Sequence, residues 1–455
     1  MIGTVRELLA RGVLLPLYQL QRTLRPSRHA AMRACSDGRR FRSEALGWSV
    51  LQKTDWIRTQ LRAAVRRAFR DTSYYRAQLR ALGFDPRADF EFEDFARLPV
   101  LDRADVQAAA GGLLARSIPA ETLRKDATGG SSGTPTEIWM GPEELGWRES
   151  GVIHFMERIG VRSGTRTAFL WGHHLDPVAS DGLRERLHDF MDNVRWFECL
   201  RLSPAQLQRY DQELERWRPR CIIAYASALG ALAEVVRQGF HRPHYPTQCF
   251  VTGAEKLMPR HRELIEQVFN RPVHERYGSR DVGLMAFQVD SNGAAGFEVD
   301  WANVFIEPET PDADSPILVT KLHADGMPML RYRVGDVARF PPGSRPGHPA
   351  LRLAEVRGRE ADRIKLANGG WVLGLEFPHL LKDYPVSEFQ ILQRRDLSVE
   401  VRLVPARGFT TENQRRILEI VRANLPGVDV HLALLDRIPR SQANKLRPVM
   451  SEVQP

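Results

Sequence analysis

Thr128-Gly129-Gly130-Ser131-Ser132-Gly133-Thr134-Pro135-Thr136-Glu137 (TGGSSGTPTE) gathers three glycines, five hydroxyl side chains and a proline into ten residues. Glycines let a backbone approach a ligand and turn successive N–H groups onto one anion, and Ser and Thr hydroxyls add donors, a combination suited to phosphate. The pattern GxxxxGK[ST] is absent, so this is not a Walker loop. Taken alone the stretch reads equally as a pliant surface loop. Its surroundings decide between the two.

Downstream, from about 165 to 340, short β-rich runs alternate with amphipathic stretches. The runs are Thr167–Leu170, Cys221–Ala224, Gln248–Thr252 and Ile317–Thr320; the helical patterns are Pro204 to Trp217, Ala228 to Gln238 and Pro259 to Phe269. Such alternation predicts an α/β sheet with ligands at the carboxyl ends of its strands. Pro341 to Pro349 reads as a surface loop. Beyond Gly358-Arg359 the character changes: Val399, Val401 and Leu403 alternate, a capping box over Thr411 to Gln414 starts a helix carrying Ile417, Ile420, Val421 and Leu425, and Val430, Leu432 and Leu434 alternate again. The expected fold is α/β, with a large domain over 1–358 and a small α+β domain over 359–455. A chain of 455 residues is long for one core.

Upstream, to about residue 125, the pattern is helical, with apolar residues at three and four spacing from Trp56 to Phe69 and a stop around Leu98-Pro99-Val100. Residues 1–70 hold fifteen arginines and lysines against four acids, +11 of a net +9, leaving −2 for the rest. Two readings stay open: a helical layer on its own domain with solvated arginines outside, or a peripheral contact with an anionic membrane surface, to which Val5, Leu8, Leu9, Val13, Leu14 and Leu17 would add an apolar stripe. Nucleic acid is not an expected partner, because no recognised motif or aromatic interleaving accompanies the charge. The apolar run Gly12 to Leu20 is too short to span a bilayer and lacks a cleavage pattern, so a cytoplasmic protein is expected. Cys35, Cys199, Cys221 and Cys249 lie far apart and signal neither zinc nor disulfides. Only seven lysines stand against 58 arginines, so each lysine position invites a specific reason.

Further motifs follow in order: Gly253-Ala254-Glu255 after a strand, Tyr277-Gly278-Ser279-Arg280-Asp281, Arg331-Tyr332-Arg333-Val334-Gly335-Asp336, Gly358-Arg359 with Asp362, and Pro439-Arg440-Ser441-Gln442-Ala443-Asn444-Lys445. The ordered set resembles the adenylate-forming superfamily, most nearly its phenylacetate-CoA ligase-like branch, which includes enzymes of capsular polysaccharide loci and a deazaflavin-cofactor adenylyltransferase. The resemblance runs from about Thr72 to Lys445.

It implies that Thr128, Gly129, Gly130, Ser131, Ser132, Gly133 and Thr134 cradle the triphosphate of ATP. It implies that Gly253, Ala254 and Glu255 line the adenine, with Tyr277, Gly278 and Ser279 opposite. Asp281 would bind magnesium (Mg2+), Asp336 the ribose hydroxyls, and Arg359 would lie near ribose and phosphate. Lys445 matches the catalytic lysine carried on a mobile small domain. Each residue also has a plainer reading: Asp336 as a turn residue, Asp281 as a cap, Lys445 as a solvated charge. The resemblance implies an AMP-forming ligase that activates a small-molecule carboxylate, with coenzyme A as the default acceptor. An adenylyltransferase that leaves AMP on its substrate, and a non-catalytic scaffold, are the alternatives.

Several positions depart from the family pattern. Arg280 replaces a threonine, Asp281 a glutamate and Asn444 a glycine, and Ala361 replaces the first acid of a hinge pattern. The Cys and His that bind structural zinc in some relatives are lacking after Tyr277-Gly278, so no zinc is expected. Pocket residues are expected around Trp171 to Leu175, Tyr225 to Leu229 and Val251 to Ala254. His173-His174, neighbours in a run, read as a polar strand end rather than a metal pair.

Overall fold

The computed structural model describes residues 26–128, 136–171, 193–199, 202–239, 242–290, 295–359, 363–367, 371–373, 376–381, 384–439 and 446–453. The basic apolar stripe of residues 5–17, His173-His174, Ala361, Asn444 and Lys445 lie outside these residues.

The chain opens with helices α1 (Pro26–Glu44), α2 (Val50–Asp71) and α3 (Ser73–Ala81), followed by α4 (Arg103–Ala109). Ser49 caps α2 in a reciprocal box with Gln52, and Ile57, Leu61, Ala64, Val65 and Ala68 bury one face. Thr72 then ends α2 and caps α3, which turns the chain sharply between them. Much of the basic charge in this layer is answered locally. Arg39 meets Glu157, Arg58 meets Asp55 and Glu91, Arg62 meets Glu91 and Asp89, Arg66 meets Asp89, and Arg70 meets Asp71. Arg42 is different, because it is buried and grips Asp300 with Nε at 3.0 Å and Nη2 at 2.9 Å while also donating to Ser150. Removing one member of such a pair strands the other and costs about 3–5 kcal/mol. Leu46, Val50 and Leu51 remain exposed at the layer's edge.

Strands β1 (Arg124–Thr128) and β2 (Thr136–Met140) form an antiparallel hairpin, and α5 (Pro142–Arg158) follows. The central sheet is built from β3 (Thr167–Trp171), β4 (Val194–Glu198), β5 (Cys221–Tyr225), β6 (Cys249–Gly253), β7 (Val273–Ser279), β8 (Gly283–Phe287) and β9 (Phe297–Val299), with α6 (Pro204–Trp217), α7 (Ala226–Gln238) and α8 (Pro259–Phe269) between strands. Its order is β13-β9-β8-β7-β6-β5-β3-β4, where β13 is Arg352–Leu353; β4 through β7 run parallel and the remainder antiparallel. β5 and β6 are buried at every position, as strands covered on both faces are. A second, antiparallel sheet joins β10 (Val304–Pro308), β11 (Asp314–Lys321), β12 (Tyr332–Arg339) and β14 (Glu355–Arg359) in that order.

After β15 (Arg363–Lys365) and β16 (Trp371–Leu373), the chain forms β17 (Val386–Gln393), β18 (Val399–Pro405), helix α9 (Thr411–Asn424), β19 (Val430–Leu434) and β20 (Val449–Ser451). These share their own core of Ile391, Val401, Leu403, Ile417 and Val421. The capping box lies one residue earlier than expected, with Thr410 as cap and Asn413 as partner. Thr410 is extended, so its hydroxyl faces the third N–H of the helix, whereas Thr411 is already helical. Among the described residues no helix is long and apolar enough to cross a membrane. All four cysteines are free thiols, and Cys221 and Cys249, opposite each other on β5 and β6, hold their sulfurs 3.9 Å apart.

His154 on α5 supplies a pH-dependent contribution to stability. Burial, with Arg42 and Arg158 nearby, lowers its pKa from 6.5 to about 4, Glu298 opposing. Between those values the unfolded chain binds the extra proton, so stability is full above about pH 6.5 and falls as pH drops toward 4. Denaturant melts from pH 7 to pH 4 are expected to show this slope, and His154→Gln to flatten it.

Candidate functional site

The glycine-rich segment lies in sequence between β1 and β2, where Thr128 and Thr136 form the last ladder pair; Gly129 to Pro135 lie outside the described residues. At this last pair, the Thr136 hydroxyl accepts hydrogen bonds from Arg103 Nε at 2.8 Å and Gln107 Nε2 at 3.0 Å, both from α4. The hairpin is thus fastened from one side by a helix. From the other side Arg280 reaches Asp126 at 3.7 Å, joining the hairpin to the turn between β7 and β8. Arg148 of α5 donates to the carbonyl of Arg280 at 3.0 Å and so steadies that turn.

That turn carries Asp281, and the bulged strand β12 carries Asp336. Two phenols cross between them. Tyr277 donates to Asp336 Oδ2 at 2.8 Å, and Tyr332 donates to Asp281 Oδ2 at 2.7 Å. Each element therefore presents a carboxylate held by a tyrosine of the other, which fixes the spacing of the two acids. The plainer readings of both are corrected. Asp281 is not the cap of the following segment, because the Ser279 hydroxyl accepts from the Val282 N–H. Asp336 is not a turn residue but lies inside β12. There Pro316 pairs with Val337 and Leu318 with Arg333, so β12 carries two extra residues, and Gly335 takes φ +81°. Glycine reaches that conformation without strain, and a bulge re-aims the neighbouring side chain.

The third wall comes from the end of β6. Gly253 closes the strand, Ala254 adopts φ +65°, and Glu255 follows it. Its Oε2 accepts from Ser227 N at the start of α7 at 2.9 Å, and its Oε1 accepts from Leu446 N at 3.3 Å. Glu255 thus joins the start of α7 to Leu446, the residue after Lys445 in the chain. Lys256 pairs with Glu355 on β14 at 2.7 Å. Arg359, on the same strand, stands opposite Asp336 in the ladder. Gly278 lies one residue past Tyr277 in β7.

Tyr332, Arg103, Gln107 and Arg148 join the site without belonging to the residues to which the motifs give a part. A signal for Tyr332 was present, since Tyr277 to Asp281 and Tyr332 to Asp336 repeat one Tyr-x-x-x-Asp spacing. Nothing local marked the other three.

Magnesium fits Asp281 as a single-carboxylate ligand. Among the described residues Asp281 Oδ1 accepts no hydrogen bond while Oδ2 is oriented by Tyr332, and no three His, Cys, Asp or Glu side chains converge into an all-protein cage. Magnesium commonly binds through one or two carboxylates and completes its shell with phosphates and water.

The fold is that of the adenylate-forming enzymes. 2-Hydroxyisobutyryl-CoA ligase in its postadenylation state superposes with a TM-score of 0.68 over 89% of this chain and 90% of that one, at 19% identity. The open conformation of that ligase, with 2-HIB-AMP and CoA, gives 0.55 over 87% and 91%, at 20% identity. In sequence the chain is similar to the phenylacetate-coenzyme A ligase of Thermus thermophilus, 24% identical over 430 residues that cover 86% of this chain and 94% of the relative. The corresponding ligase of Pseudomonas putida is 24% identical over 317 residues, 67% and 70% of the two chains. Protein CapK of Staphylococcus aureus is 18% identical over 368 residues, 79% and 80%. No protein-family model matches. In fold the chain matches solved acyl-CoA ligases, and in sequence it is similar to phenylacetate-coenzyme A ligases.

Proposed function

We propose that this chain uses ATP and magnesium to convert a carboxylic acid to its acyl-adenylate, releasing pyrophosphate, and then passes the acyl group to coenzyme A. The crossed tyrosine–aspartate pairs below the glycine-rich hairpin carry this reading. They offer one carboxylate to a metal and one to vicinal hydroxyls, at a spacing neither could keep alone.

Attack of a carboxylate on the α-phosphorus builds negative charge on phosphate oxygens, and the protein's work is positioning and electrostatic stabilisation. Magnesium on Asp281 would supply positive charge there. The backbone N–H groups of Gly129 to Thr134 would hold the departing pyrophosphate. Asp336, steadied by Tyr277, would accept from the ribose hydroxyls, since a carboxylate keeps several acceptor positions after taking one phenol. Lys445 would bring an ammonium to the α-phosphate, and Arg359 would lie beside ribose and phosphate. Gly253, Ala254 and Glu255 would face the adenine from one side and Tyr277 from the other.

The test is pyrophosphate exchange into ATP over a panel of carboxylic acids without coenzyme A, followed by product analysis with it. Acid-dependent exchange and a thioester with free AMP are expected. A stable AMP conjugate would overturn the transfer step in favour of adenylyl transfer. Silence across the panel with ATP bound would overturn the ligase reading itself.

A further inference from the structure

The register of the parallel strands aligns one row of residues at their carboxyl ends. Leu170 pairs with Ala224, Tyr225 with Gly253 and Thr252 with Glu275, so Trp171, Tyr225, Gly253 and Arg276 lie side by side on one face of the sheet. Carboxyl ends of parallel strands are where open α/β sheets take their ligands. Trp171 and Tyr225 meet with ring centroids 4.1 Å apart, and Cys199, Leu202 and Ala228 complete an apolar patch around them. Burial and the nearby carboxylates of Glu198 and Glu255 push the Cys199 thiol up to about 12, so it adds no negative charge.

Arg276 enters this row as its one cation. Its guanidinium carbon lies 5.4 Å from the centroid of the Trp171 ring. The side chain runs through the space left by Gly253: a Cβ there would stand 3.0 Å from Arg276 Cγ and 3.1 Å from Nε. Among the described residues no carboxylate lies within ion-pair distance of Arg276. This sets it apart from Arg42, Arg262 and Arg331, which bind Asp300, Glu275 and Glu307. Burial lowers the Arg276 pKa, with only Cys221 acting against it. A guanidinium partly withdrawn from water without an anion is unfavourable to the fold, and a stacked aromatic ring compensates it in part. An arriving anion would complete the compensation, and guanidinium geometry suits carboxylate or phosphate in a bidentate grip.

We propose that the acid activated by this chain carries a second anionic group, and that Arg276, laid over Trp171 beside Gly253, is the residue that selects it. The inference rests on the ligase reading above. The substrate class is a dicarboxylic acid, or a carboxylic acid with a phosphate or sulfate, whose body lies against Trp171 and Tyr225. The reacting carboxylate goes to the nucleotide side of Gly253 and the second anion to Arg276.

The experiment compares matched pairs in pyrophosphate exchange: glutarate against pentanoate, isophthalate against 3-methylbenzoate, and 3-phosphonopropionate against butyrate. Wild-type kcat/KM is expected to favour the acid with two anions by about 100-fold in at least one pair. Arg276→Met is expected to remove that preference by lowering use of the doubly anionic acid, with the neutral-tailed acid unchanged or improved, and Arg276→Lys to restore part of it. Thermal melts of both variants with and without ATP report whether the fold and nucleotide site survive. Equal use of both members of every pair would overturn the proposal and leave the ligase reading standing. So would an Arg276→Met loss shared by both members, which would mean that Arg276 holds the reacting carboxylate. Silence with every acid while ATP binds would overturn the ligase reading, and the proposal with it.

Discussion

Lys445→Ala is expected to slow acid-dependent pyrophosphate exchange by about 10²–10³-fold while leaving ATP affinity within a few-fold, because in the proposed role its charge would meet the developing oxyanion and act chiefly in the transition state. Composition singles out this residue, and its neighbour Leu446 is held at the proposed site. Lys445 is the last of seven lysines in a chain that otherwise uses 58 arginines, and the residue after it donates from its backbone to Glu255, which also holds the start of α7. A compact ammonium can approach a phosphate oxygen as a point charge, whereas a planar guanidinium needs a wider opening. Lys445→Arg should therefore recover only part of the rate. Stopped-flow or isotope-exchange rates, set beside calorimetric ATP binding, separate the two effects. Near-normal exchange in Lys445→Ala would remove the assigned role, and a lost ATP affinity would assign the lysine to ground-state binding.

The order of elements was legible because local signals coincide with their ends. Pro204 follows the cap Ser203, Pro259 opens α8, and the apolar runs Cys221–Tyr225 and 249–251 mark strands buried on both faces. Where two residues compete for a cap, as Thr410 and Thr411 do, composition does not decide; backbone conformation does. Gly335-Asp336 shows the same limit at the site. A Gly-Asp pair is turn chemistry in isolation, and only the pairing of β12 with β11 makes it a bulge inside a strand. The row from Trp171 to Arg276 spans more than a hundred residues and depends on the registers of three strand pairs, none of which is written in any single segment. Motif order pointed to the kind of chemistry, while the residues that hold the motifs in place, Arg103, Gln107, Arg148 and Tyr332, come from elsewhere in the chain.

The crossed phenols make a prediction that a single site residue would not. Asp281→Asn keeps the shape and the Tyr332 contact but removes the charge a magnesium ion needs, so adenylation is expected to fall by about 100-fold and its magnesium requirement to rise. Asp336→Ala should act on ATP binding instead, weakening it by roughly 10–100-fold through lost hydrogen bonds to charged acceptors. If the pairs work as the geometry implies, each tyrosine should report on the acid across from it. Tyr332→Phe would then shift the magnesium dependence with little change in ATP affinity, and Tyr277→Phe the reverse, each by about 3–10-fold for one hydrogen bond to a carboxylate. Double-mutant cycles supply the test, because coupling is expected within Tyr332–Asp281 and Tyr277–Asp336 and should be near zero for Tyr332–Asp336. Coupling spread evenly over all combinations would mean that the four side chains hold one rigid wall, and that the division of metal and ribose between the two aspartates is wrong. Confinement to the crossed pairs would tie each acid to its own part of the nucleotide.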